Sequence, residues 1–137
     1  LWKIGLNNDS DGLGKDEFSF DLRSPIEAGT RYRVSFAGMS VLDSTTDLGA
    51  LRLGVSGAPD AFGTAIYTTD PLSGDDWDRV AFEFVAPADA AHLTVSARRG
   101  PDAWIHVDDF ALVVVPAPSA GALLAGAGLG ALSRRRR

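Results

Sequence analysis

Apolar side chains recur at every second position in five separate runs of this chain. Phe18, Phe20 and Leu22 alternate with Ser19 and Asp21, and the same beat runs through Tyr32-Val34-Phe36, Leu51-Leu53-Val55, Val80-Phe82-Phe84 and Leu93-Val95-Ala97. A period of two puts one stripe of each segment on a buried face and leaves the other wet, the signature of antiparallel strands. A shorter strand is predicted over "AIYTT", around Tyr67. No stretch before residue 116 sustains the i, i+3, i+4 spacing of a long helix. The intervening clusters "EAGT", "SGAPDAFG", "PLSGDD" and "RRGPDA" carry the Gly, Pro and Asp that turns require. Short strands at this spacing predict a sandwich or a barrel.

The last apolar run, "WIHVDDFALVVV", breaks parity. Ile105 and Val107 fall on one face, whereas Phe110 and Leu112 fall on the other. One extra residue at Asp108-Asp109 would return all four to the core, because a bulge flips the register. A strand with a bulge at the two aspartates is therefore predicted.

Beyond Val115 the pattern changes. Pro116 and Pro118 lack backbone donors and bias their predecessors away from helix, so a boundary falls there. Residues 120–133 hold no charge; as a helix these fourteen residues would span about 21 Å against a hydrocarbon core of roughly 30 Å. Arg134, Arg135, Arg136 and Arg137 follow, and such a cluster resists translocation. The expected arrangement is a marginal stop-transfer helix with its C-terminus in the cytoplasm and the body outside. The chain opens at Leu1 without an apolar leader, and a preceding stretch carrying an export signal is expected.

Composition sharpens this picture. At 137 residues and 45% hydrophobic content, there is room for one domain and a short appendage. The net charge is −5, but ahead of Arg134 nine basic residues face eighteen acidic ones. An acidic body repels nucleic acid, which demands a basic stripe to displace counterions. All but three of the acids are Asp, favouring turns and loop ligands over helix surfaces. With no cysteine, the chain can build no disulfide, thiol nucleophile or Cys-based zinc site.

Two stretches carry family resemblances. The sequence Pro116-Ala117-Pro118, the apolar Gly/Ala/Leu segment and the terminal arginines, in that order, resemble the PEP-CTERM class of bacterial sorting signals, which membrane proteases called exosortases recognise. In that family the motif is Pro-Glu-Pro; this chain keeps both prolines and lacks the acid. The resemblance implies an exported protein held transiently in the inner membrane, cleaved near Pro118, and destined for the cell surface or extracellular matrix; the alternatives are an ordinary single-pass anchor and a disordered low-complexity tail. The second stretch joins "EAGTRYRVSF", "DDWDRVAFEFVAP" and "AHLTVSARRGPDAWIHVDDFALV", and is similar to the jelly-roll carbohydrate-binding modules attached to bacterial xylanases and cellulases, within the galactose-binding-like superfamily. It implies an all-β antiparallel jelly-roll sandwich over residues 1–115, followed by a sorting segment with a short hydrophobic helix over 116–137. In that family the final strand carries an Asp-Asp pair, matched here by Asp108 and Asp109, that helps to hold a structural calcium near the chain start. The Asn-Gly-Phe-Glu opening that usually partners it is absent from this sequence.

Candidate chemistry is sparse. Asn7, Asp9, Asp11 and Gly12 follow the first half of an EF-hand-type calcium loop, but Lys15 holds the ninth position and Phe18 the place of the bidentate Glu. The alternative is a solvated Asx-rich turn. If a polysaccharide binds, its CH-rich faces need aromatic rings and its hydroxyls need nearby polar groups. Trp104 shares parity with His106, opposite Ile105 and Val107, and so predicts an exposed ring. Tyr67 reads as either surface or core. Trp77 matches the packing tryptophan of the resembled modules and reads as core. No pair of carboxylates is singled out for glycoside hydrolysis, and two histidines, His92 and His106, assemble no metal cage or nucleophile relay. The leading expectation is a non-catalytic secreted surface or matrix protein that binds polysaccharide. Its rivals are a structural matrix protein without a specific ligand and a glycoside-active enzyme on the same scaffold.

Overall fold

The computed structural model describes residues 2–5, 17–42, 48–98 and 103–117, and every regular element among them is a β-strand. The order is β1 (Trp2–Gly5), β2 (Glu17–Ile26), β3 (Arg31–Leu42), β4 (Ala50–Ser56), β5 (Thr64–Thr68), β6 (Asp78–Val85), β7 (Ala90–Arg98) and β8 (Ala103–Val114). They form two four-stranded antiparallel sheets. Sheet I runs β1-β8-β3-β6 and sheet II runs β2-β7-β4-β5.

The alternating runs meet between the sheets. Val34, Phe36, Ile105 and Val107 from sheet I and Leu51, Leu53 and Val95 from sheet II are buried to within 1% of full enclosure. Phe18, Phe20, Leu22, Val80 and Phe82 pack around that centre. Burial of each such side chain contributes about 1.5–3 kcal/mol, so the stripe sets which face of each strand turns inward. Phe36 stacks on Phe110 at 4.8 Å, and Tyr67 of β5 lies flat on Phe82 of β6 at 4.0 Å and 8°, closing the side of the sandwich where β5 and β6 are the edge strands.

The predicted bulge in β8 is present. Ser35 pairs with Ala111 and Ala37 with Asp108, so the single residue Phe36 faces two, Asp109 and Phe110. Asp109 takes the left-handed backbone conformation, φ 56°, which Asp tolerates better than most side chains. The slip brings Phe110 and Leu112 onto the core beside Ile105 and Val107.

Two packing features depart from the sequence reading. Trp77 is half-buried outside the core cluster, its ring 6.5 Å from that of His106. The inward space at that end is filled instead by Leu72, 2% exposed, whose Cδ1 lies 3.0 Å from where a Cβ on Gly38 would stand. A Cβ at 38 would press on Leu72, and Trp77 stays outside the cluster that Leu72 joins. The predicted C-terminal helix lies outside the described residues, as do Pro118 and Arg134 to Arg137. Pro116 and Ala117 are exposed just past β8, where the last tie is Val115 N donating to Arg31 O at 2.9 Å.

Candidate functional site on the outer face of sheet II

The outward positions of sheet II are the polar half of the same alternating runs. Register aligns them in rows across the strands. Glu17, Ser96, Arg52 and Thr68 form one row, Ser19, Thr94 and Gly54 the next, and Asp21, His92 and Ser56 a third. Four adjacent strands thus present hydroxyl, carboxylate, guanidinium and imidazole groups to one surface. His92 Nδ1 lies 2.9 Å from Asp21 Oδ1, an ion-pair distance without the alignment of a hydrogen bond.

The β4–β5 loop, residues 57–63, folds back onto this face. Ser19 Oγ donates to Pro59 O at 2.9 Å and accepts at 2.7 Å from Thr94 Oγ1, whose single proton is shared with Ala61 O at 3.4 Å. Phe62 is laid across Gly54: a Cβ there would stand 2.3 Å from Phe62 O and 2.7 Å from its ring. Glycine inside a strand marks a close approach of this kind. The loop closes through Gly63, φ 69°, whose own Cβ would meet Val55 O at 2.1 Å. Arg52 caps the assembly, its guanidinium 4.5 Å from the centroid of the half-buried Phe62 ring. Such a cation–π contact is worth about 0.5–1 kcal/mol at an exposed site. Beside this row the face sinks into a depression of 240 Å³ lined by Ala50, Thr68, Thr69, Asp70, Pro71 and Arg98.

Sheet I offers a different surface. Trp104 is 45% exposed there, as the parity argument required, and the other exposed large apolar residues, Val85, Val113 and Val114, also lie on this sheet. Ala37, Met39, Ala81 and Ala111 occupy outward positions between them. Two ion pairs lie on it, Arg79 with Asp109 at 2.9 Å and Arg31 with Glu83 at 3.8 Å, and Arg33 and Asp108 are on the same side. The Trp104 ring stands beside His106 on this face, with Ser35, Arg33 and Glu83 farther along the strands.

The other residues singled out from sequence are scattered. Tyr67 spends one ring face on Phe82 and belongs to sheet II, whereas Trp104 belongs to sheet I. Asp108 Oδ1 accepts from the Asp109 N–H at 2.8 Å, while Asp109 holds Arg79. Among the described residues no three carboxylate or imidazole groups come together as a metal site. Asn7, Asp9 and Asp11 lie outside them. Sequence reasoning missed Phe62 and Arg52, although a glycine at position 54 inside an alternating strand and an aromatic inside a turn cluster were both visible.

No family model matches the sequence, and neither does any curated protein. Among solved structures the chain matches one described as "CBM4 structure and function", with a TM-score of 0.57 and 20% identity over 82% of each chain. The likeness lies in the fold: the two-sheet antiparallel sandwich described above is shared with that structure.

Proposed function

We propose that this protein is a non-catalytic carbohydrate-binding domain that takes a polysaccharide along the outer face of sheet II. The observation that carries the reading is the convergence of Phe62, Arg52, Thr68 and Arg98 beside a 240 Å³ depression. Sugar recognition needs an apolar surface and directional hydrogen bonds at once; here the half-buried Phe62 with the Arg52 guanidinium stacked on its ring gives the first, and Arg52, Thr68 and Arg98 give the second. The depression is smaller than the roughly 300–1,000 Å³ of a drug-sized pocket, which suits one sugar unit of a longer chain running over an open face. The CBM4-like fold supports binding over catalysis, and among the described residues no acid pair on this face is buried in apolar surroundings in the way a glycosidase acid requires.

The domain acts outside the cell in this proposal, exported and then sorted through residues 116–137 by an exosortase-type protease after transient residence in the inner membrane. Support comes from the order of proline motif, apolar segment and arginines.

A glycan array probed with the full chain tests the binding. Phe62→Ala and Arg52→Ala should abolish any hit, and Trp104→Ala should retain it. The opposite pattern would move the site to sheet I, and a blank array would leave a structural matrix protein with no specific ligand.

A further inference from the structure

Four strand edges bound the two sheets, and three are blunted. β1 is four residues long. β2 carries Pro25 and loses register with β7 between Asp21 and Ile26. β5 has five residues and slips against β4 between Leu53 and Gly54. Short length, proline and irregular register are the devices by which sheets prevent edge-to-edge pairing. β6 has none of them. Its eight residues pair with β3 in unbroken register from Val85 opposite Arg31 to Asp78 opposite Gly38, and the strand contains no proline. No described strand occupies its other side.

The outward side chains of this edge are self-complementary. Arg79, Ala81, Glu83 and Val85 are all exposed, Val85 at 54%, and half-buried Trp77 precedes them on the same side. Pairing two copies antiparallel about Ala81 sets Ala81 against Ala81, Arg79 against Glu83, and Trp77 against Val85. Small meets small, base meets acid, and apolar meets apolar. Shifting the centre to Val80 or Phe82 loses the ion pairs. Each copy already holds Arg79 against Asp109 and Glu83 against Arg31, so the pairing would join these into alternating acid–base rows across the seam.

We infer that β6 is the interface through which two copies of this chain associate, joining their first sheets into one eight-stranded sheet about a twofold axis centred on Ala81. A twofold normal to a sheet keeps both inner faces on one side. Both copies therefore turn sheet II the same way, and two binding faces address one surface with a gain in avidity.

Charge reversal tests this. Arg79→Glu places two acids along the edge and Glu83→Arg two bases, both at exposed positions where folding is little affected. Each variant alone replaces two attractive cross-strand pairs by two repulsive ones and should weaken self-association about tenfold or more. Mixed together they should recover it, because unlike chains then restore every pair. Sedimentation equilibrium across a concentration series reads the mass, and association through the apolar tail would not follow this rule. The chain has no cysteine, so Ala81→Cys should yield a disulfide-linked pair under mild oxidation, whereas Ala111→Cys, interior on the same outer face, should not. A parent chain that stays monomeric throughout overturns the inference; so does a mixture no heavier than its parts, or equal crosslinking at the two positions.

Discussion

Gly54→Ala is the smallest change that probes how the candidate site is built. The new methyl carbon would stand 2.3 Å from a backbone oxygen and 2.7 Å from a ring carbon of Phe62, distances at which something must move. If the loop holds, the strain of overpacking is about 1–3 kcal/mol. If it lifts, the face loses the Arg52–Phe62 contact, about 0.5–1 kcal/mol, and the hydrogen bond from Ser19 to Pro59, about 1 kcal/mol, with a smaller loss from the long bond between Thr94 and Ala61. Either route costs about 2 kcal/mol, a fall of roughly 8 °C in Tm for a domain of this size. Thermal melts followed by circular dichroism would show it, with Gly57→Ala as the control, since a Cβ there meets nothing within 4 Å. Glycan affinity should fall with stability in Gly54→Ala and not in Gly57→Ala. A Gly54→Ala protein that melts within about 1 °C of the parent and binds as well would refute the account of the loop.

Other consequences can be measured in the same way. Tyr67→Ala removes the flat stack on Phe82 from a half-buried position and should cost about 2–3 kcal/mol in a denaturant titration, without abolishing glycan binding. At the bulge, Asp109→Gly gives up an exposed ion pair but relaxes the left-handed backbone, so its stability should stay within about 1 kcal/mol of the parent. Asp109→Val, β-branched at φ 56°, should lose about 1–3 kcal/mol in the same titration. Intact mass of the protein recovered from its native host should show the chain ending near Pro118; a mature surface form still carrying Arg137 would argue against cleavage.

Strand identity was legible because each run is itself the evidence of a buried stripe: Phe18-Phe20-Leu22 and Leu93-Val95-Ala97 could hardly bury otherwise, and both reach the core. The bulge was legible for the same reason, since two parities in one strand need a spare residue. What periodicity does not encode is where a loop goes. Leu72 and Phe62 both sit in turn-rich stretches, and each packs tightly against a glycine inside a strand, Gly38 and Gly54. The tryptophan read as core, Trp77, stands outside the cluster, and Leu72 from the same turn-rich stretch is inside it. The polar positions of the candidate face, Ser19, Thr94, Ser96 and Arg52, were visible as the wet half of their strands. Their meeting on one sheet follows from strand order, which alternation alone does not specify.

The bulge in β8 has a consequence for the lengths this chain tolerates. Asp109 is a supernumerary residue: cut it out, and Asp108, Phe110 and Ala111 fall opposite Ala37, Phe36 and Ser35 as a plain ladder with Ile105, Val107, Phe110 and Leu112 still inward. Excising His106 or Ala111 instead would turn the oily half of the strand toward water. Of these three single-codon losses, the one at Asp109 should leave a folded, cooperatively melting protein.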